Sequence, residues 1–189
     1  MFAIEVEPGL KLALLRRRDA HALLAQVDEN RNYLRQWMNW LDHTRNINVV
    51  EKFIESALQQ FANQLGFQSG IFYEGNLVGV VGFKPIDPVN RIGEIGYWLS
   101  KHHQRRGIMS KCVRVLVQKG FEDLGLNKIE IRCAVENHRS RAVAQRLGFV
   151  QEAVLRQQQW LYDHFVDHTV YSILKSEYEA LQARSSSDV

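Results

Sequence analysis

The segment Gln104-Arg105-Arg106-Gly107-Ile108-Met109 joins an apolar run ending in Tyr97-Trp98-Leu99 to a stretch whose apolar residues fall at helical spacing, Cys112, Val113, Leu116, Val117, Gly120, Phe121 and Leu124. A strand that turns within a few residues into a helix points the first backbone N–H groups of that helix at one spot. The positive end of the helix dipole adds to them. Such a turn is an anion cradle, wide enough for a pyrophosphate. Gly107 removes the Cβ that would hold an anion away from the backbone, and Arg105 and Arg106 place fixed positive charge beside it. The same residues also describe an ordinary basic loop capping a helix, and spacing alone leaves both readings standing.

The chain has 189 residues, 46% of them hydrophobic, with no apolar run near the roughly 18 to 20 residues that a bilayer-spanning helix needs. This predicts one soluble domain over residues 1–184, with a Ser-rich tail from Ser185 to Val189 expected to be disordered. The first residues, Met1-Phe2-Ala3-Ile4-Glu5, lack a charged segment followed by an apolar one; no signal peptide is expected, and a cytoplasmic location is. The two cysteines, Cys112 on an apolar helical stripe and Cys133 in an alternating strand, exclude a disulfide framework and read as buried thiols. A net charge of +3 is too weak to argue for nucleic acid and suits an acidic cofactor equally well, so neither nucleic acid nor membrane is an expected partner.

Residue patterning alternates helices and strands without repeats. Leu10 to Leu15 reads as a strand, and Asp19 as the N-cap of a helix carrying Ala22, Leu23 and Ala25. Tyr33, Trp37, Met38 and Leu41 continue at helical spacing, and Val49 to Leu65 repeats apolar residues as a further helix. Phe67 to Tyr73 and Leu77 to Phe83 flank Glu74-Gly75-Asn76, a hairpin signature. Strands follow at Ile92 to Leu99 and Lys128 to Val135, then a short helix ending at Leu147-Gly148-Phe149. Two more strands, Val150 to Trp160 and Phe165 to Leu174, precede a terminal helix. The expected class is α/β, a mixed sheet flanked by helices.

Two motifs at fixed separation carry a resemblance. Gln104 to Met109 resembles the acetyl-CoA pyrophosphate loop of the GNAT N-acetyltransferases, usually Q/R-x-x-G-x-G/A, with Met109 departing at the last position. Asn137-His138-Arg139-Ser140, with Val143 and Gly148-Phe149, is similar to the N-x-x-S-x-x-V-x-x-x-x-G-F of the RimL/RimJ-type branch, whose members acetylate ribosomal proteins. Glu94 to Leu99 and Asp167 to Ser172 resemble that branch too, so the resemblance covers roughly Leu10 to Leu181.

The resemblance implies a mostly antiparallel, splayed GNAT sheet and acetyl-CoA as cofactor, with no metal. It assigns Trp98, Leu99 and Ser100 to pair with the pantetheine arm, Gln104, Arg105, Arg106, Gly107, Ile108, Met109 and Ser110 to hold the phosphates, and Asn137 and Ser140 to meet the pantetheine and thioester. Glu94 is the candidate base and Ser140 the candidate acid, because the family's usual tyrosine position holds Ala144. Each has a plainer alternative: Glu94 as a structural carboxylate, Ser140 as a helix cap. Some RimL-type members place a glutamate where this chain has Gln159, and an amide cannot take a proton.

Tyr33, Trp37 and Trp40, with Met38, either wall an acceptor cleft or belong to the core. His164 and His168, interleaved with Asp163 and Asp167, make a poor metal set without a cysteine partner. Lys101, His102, His103 and Lys111 form a basic collar for phosphates or a solvated surface. Three functions follow: acetylation of a protein N-terminus, RimL-like; acetylation of a small amine such as a polyamine, amino acid or aminoglycoside; or a non-catalytic CoA-binding module. A homodimer is compatible with each.

Overall fold

A computed structural model describes residues 3–187. Its strands are β1 (Ala3–Glu7), β2 (Leu10–Leu14), β3 (Phe67–Tyr73), β4 (Asn76–Phe83), β5 (Ile92–Leu99), β6 (Lys128–Ala134), β7 (Val150–Leu161) and β8 (His164–Leu174). Its helices are α1 (Ala20–Leu34), α2 (Ile47–Ala62), α3 (Ile108–Glu122), α4 (His138–Arg146) and α5 (Lys175–Ser187). The strands form one sheet in the order β1-β2-β3-β4-β5-β6-β8-β7. Every neighbouring pair is antiparallel except β5 and β6.

That exception shapes the molecule. The parallel ladder covers only Ile92, Gly93 and Glu94 against Lys128, Ile129 and Glu130. From Ile95 to Leu99, β5 pairs with β4 alone, while Ile131 to Ala134 pair with β8 alone. The sheet therefore opens as a wedge between β5 and β6. Alternation along β5 sends Ile95, Tyr97 and Leu99 to the face covered by α3, and Trp98, with Gly96 and Glu94, to the face covered by α1 and α2. On the α3 face, Cys112, Val113 and Leu116 pack with Phe83, Ile129 and Ile131; on the other, Val27, Leu34 and Ile54 pack with Val80 and Trp98.

Local expectations and the structure differ at four places. β1 was not read from the sequence: its five residues alternate Ile4 and Val6 with Glu5 and Glu7, but they form a short, half-exposed edge. Helix α1 stops at Leu34, so Trp37, Met38 and Leu41 lie in turns: the Trp37 and Met38 N–H groups share the Leu34 carbonyl, and the Arg31 guanidinium donates to the Leu41 and Thr44 carbonyls, holding the chain away from a helical path. Asp19 precedes α1, but its carboxylate reaches back to the Arg16 N–H at 2.8 Å instead of capping forward. The tail expected from Ser185 overlaps the last turn of α5, and Asp188 and Val189 lie outside the described residues.

One buried side chain locks α1 to the turn that follows β5. Asn30, 3% exposed, donates from Nδ2 to the Gln26 carbonyl and accepts the Lys101 N–H on Oδ1, both at 2.8 Å. Asn30→Ala strands a buried N–H, a change that costs about 1 to 3 kcal/mol. Urea unfolding should show that loss with an unchanged m-value, and Asn30→Asp should recover part of it; an alanine variant as stable as the parent would refute the role.

Candidate active site

The turn after β5 is built as a cradle. Arg105 and Gly107 both hold left-handed backbone, at φ 63° and 75°, and α3 starts at Ile108. A Cβ on Gly107 would meet nothing nearer than the Lys111 side chain at 3.8 Å, so the space above the helix start is open to an anion. Side chains from α4 brace it: Arg139 Nη1 donates to Gln104 Oε1 at 2.7 Å, and Arg146 Nη1 to Ser110 Oγ at 2.6 Å. The Arg106 guanidinium lies 6.0 Å from the Tyr73 ring centre.

Two members of the expected basic collar are engaged elsewhere. Lys111 is paired with Glu7 at 2.6 Å, and His102 lies 3.5 Å from Glu29. His103 is different: its Nδ1 is buried without a hydrogen-bond partner among the described residues, and it faces the cradle. Burial, and then the charges of Arg106 and His102, hold its imidazole below the ordinary value. A buried polar atom lacking a partner at an anion site is what a ligand would satisfy, so the residues present fit a CoA pyrophosphate.

From the cradle a cavity of about 390 Å³ follows the wedge past Leu99 and Trp98 to Asn137 and Ser140. The Ser100 N–H, expected to face the ligand, is instead donated to the Val78 carbonyl at 2.8 Å, because the β4 ladder continues one residue beyond β5. Asn137 caps α4, its Oδ1 accepting the Ser140 N–H at 3.2 Å.

The sequence reading missed Tyr97. Its hydroxyl donates to the Ser140 carbonyl at 3.1 Å and accepts from Ser140 Oγ at 3.0 Å, joining β5 to α4 across the wedge. A phenol is thus present although Ala144 fills the family's usual place. The signal was period-two alternation, which puts Tyr97 on the face opposite Glu94 and Trp98. Burial raises its pKa above the ordinary phenol range, with the Ser140 hydrogen bond offsetting part of that. Burial also pushes up the thiol of Cys133, which is hydrogen-bonded to Ser140.

On the opposite face Glu94 lies within a chain of charges. Its Oε1 is 2.5 Å from Lys84 Nζ and its Oε2 3.9 Å from Arg132, which itself donates to Glu130 at 2.7 Å. Lys128 continues the chain, 3.1 Å from Glu130 and 2.7 Å from Glu152. The predicted aromatic wall divides: Tyr33 and Met38 line the cofactor cavity, Met38 and Trp40 line an apolar cavity of about 470 Å³ under α1 and α2, and Trp37 lines an open groove of about 840 Å³. This groove runs between the segment after α1 and the β7–β8 hairpin, past Val135, Val166 and Asp167. Tyr162 fastens the two sides, its hydroxyl donating to the Met38 carbonyl at 2.6 Å and its ring lying 3.7 Å under the Arg35 guanidinium. His164 bonds Asp163, and His168 bonds Gln159, so the two histidines are not gathered; among the described residues no group of three metal-ligating side chains forms.

Comparisons agree with this geometry. The acetyltransferase (GNAT) domain profile matches residues 10–150. A putative ribosomal N-acetyltransferase, YdaF, of Bacillus subtilis is 33% identical over 95% of this chain and 98% of its own. The ribosomal-protein-serine acetyltransferase of Escherichia coli is 30% identical over 89% and 94%. A solved RimL ribosomal alpha-N-protein acetyltransferase in complex with coenzyme A superposes with a TM-score of 0.90 at 26% identity, covering 93% of this chain and 99% of that one. With the cradle, the wedge and the profile in agreement, the chain belongs to the GNAT acetyltransferase family and is an acetyl-CoA-dependent N-acetyltransferase.

Proposed function

We propose that the acceptor is the N-terminal amine of a protein, a ribosomal protein being the class that the relatives' names suggest. The observation carrying this is the shape of the acceptor side. The groove of about 840 Å³ is open along its length and bordered by the ends of β6 and β8, a form suited to several residues of extended peptide. Trp37, Tyr162 and Phe165 are its aromatic lining, while Tyr33 and Trp40 line the two neighbouring cavities.

Bound acetyl-CoA supplies the thioester whose acetyl group passes to the amine. The chain's residues divide the remaining work. Arg105 to Ser110 hold the pyrophosphate at the start of α3, and the free edge of β5 at Trp98 and Leu99 aligns the arm. Asn137 fixes the first turn of α4 and with it Ser140. Ser140 Oγ holds the proton for the departing sulfur. When it turns that proton toward sulfur, the Tyr97 hydroxyl can become its donor in place of its acceptor, so the pair works as a relay. Glu94 keeps Lys84 and Arg132 in place and sets the field at the acceptor mouth.

Gly107→Glu should abolish acetyl-CoA binding in calorimetry, since it puts a side chain and a like charge into the cradle; undiminished affinity would remove the cofactor site. Ser140→Ala should lower kcat about 5- to 150-fold, the equivalent of ~1 to 3 kcal/mol, with acetyl-CoA affinity retained. Tyr97→Phe should do the same to a smaller extent. A Ser140→Ala variant that melts early yet turns over normally per folded molecule would leave Ser140 only its helix-capping role. Thiol release with N-terminal peptides of ribosomal proteins should exceed that with polyamines, amino acids and aminoglycosides at equal concentration; the reverse order would reassign the acceptor to small amines, and no turnover despite tight binding would leave a non-catalytic module.

A further inference from the structure

Building on that acyl-transfer reading, we propose that His168 accepts the proton of the incoming ammonium group and that Gln159 positions it by selecting which ring nitrogen does so. His168 pairs with Ala134 across the β6–β8 ladder, which places it on the same face of the sheet as Arg132 and Glu94, and both Ala134 and the adjacent Asp167 line the acceptor groove. It is half-buried. Its Nε2 lies 2.8 Å from Gln159 Oε1. An amide oxygen can only accept, so Nε2 carries the hydrogen and Nδ1 keeps its lone pair.

The local backbone is distorted to make this contact. In the β7–β8 ladder Leu155 pairs with His168 and Gln159 with Val166, so four steps along β7 match two along β8. Within the resulting bulge Gln157 takes left-handed backbone at φ 50°, and its N–H is held by Asp167 Oδ1 at 2.7 Å. Bulges re-aim side chains, and strained non-glycine backbone gathers at functional sites. Here the bulge delivers Gln159 to His168.

The charges around the ring suit the role. Lys84 just beyond β4, Glu94 on β5 and Arg132 on β6 face it, while β7 contributes the neutral Gln159. Burial, Lys84 and Arg132 disfavour the imidazolium and Glu94 favours it, leaving the ring below its ordinary 6.5 and neutral near pH 7. Glu94, by contrast, has one carboxylate oxygen 2.5 Å from the Lys84 ammonium. In the step itself an ammonium N–H bond breaks, its electrons stay on nitrogen for attack on the acetyl carbon, and the proton bonds to Nδ1. The imidazolium then returns that proton to solvent. The second proton that nitrogen sheds as the C–N bond replaces the C–S bond balances the one taken up by sulfur.

The test is the pH profile of kcat/KM with a peptide amine, for the parent, His168→Gln, Glu94→Gln and Gln159→Glu, together with an NMR titration of the His168 ring in each protein that retains it. The parent should show an acid limb with an inflection below 6.5, matching the ring's titration. His168→Gln should lose about 10²-fold at pH 7, less near pH 9.5 where the amine is already neutral, with acetyl-CoA affinity unchanged. Removing the Glu94 charge should move both inflection and ring titration to lower pH, and adding one at Gln159 should move both higher. Those two shifts decide the matter even if His168→Gln proves unstable. A His168→Gln profile like the parent's, or ring titrations that move without the kinetic inflection, would overturn the inference while leaving the enzyme's function intact. A parent that binds acetyl-CoA yet turns over no amine would overturn both.

Discussion

Three residue pairs of parallel ladder hold the two halves of the sheet together, and the rest of the site depends on that ladder being so short. An unpaired strand edge inside a protein leaves backbone donors and acceptors without partners, and folds normally avoid it. Here the gap is bridged by side chains instead. On the α3 face the Tyr97 and Ser140 hydroxyls join β5 to α4. On the other, the chain Lys84, Glu94, Arg132, Glu130, Lys128 and Glu152 alternates in sign across the closed end of the wedge. Exposed ion pairs contribute little one at a time. As a network anchored on the nearly buried Glu130, they fix where the two strands part.

This arrangement gives the two faces of the wedge different chemistry. The cradle, Ser140 and Cys133 lie with α3 and α4, whereas Lys84, Glu94, Arg132 and His168 lie on the opposite face of the sheet. In the proposed division each reactant is held by groups of suited charge: backbone donors and arginines for the phosphates, an open groove and a neutral imidazole for the amine. The left-handed backbone of Arg105 costs conformational energy that the fold bears before any ligand arrives, so little backbone need reorganise on binding.

Much of this was legible in the chain. β5 was expected at Ile92 to Leu99 and is found there, because the loop marked by Pro85 and Pro88 precedes it and Ile92, Ile95, Tyr97, Trp98 and Leu99 give it β-branched and aromatic residues. The cradle was readable from Gly107 between a strand and a helix. What escaped was information carried by tertiary partners. The segment from Trp37 to Leu41 has helical spacing, yet Arg31 draws its carbonyls out of any helix. Lys111 and His102 look like phosphate ligands until Glu7 and Glu29, far away in sequence, are found beside them. Tyr97 lies on the face of β5 opposite Glu94 and Trp98, and only the packing of α4 there gives its hydroxyl a partner.

That two-faced strand has a consequence for how such chains can diverge. A single residue inserted or deleted between Glu94 and Leu99 would exchange the faces of every side chain beyond it, sending Tyr97 toward α1 and Trp98 toward Ser140. No compensating change elsewhere restores both halves of the site at once. Variation in length must therefore collect outside β5, as in the exposed loop from Lys84 to Arg91, and the spacing from Glu94 to the cradle at Gly107 should behave as a fixed ruler along lineages whose surrounding sequence drifts freely.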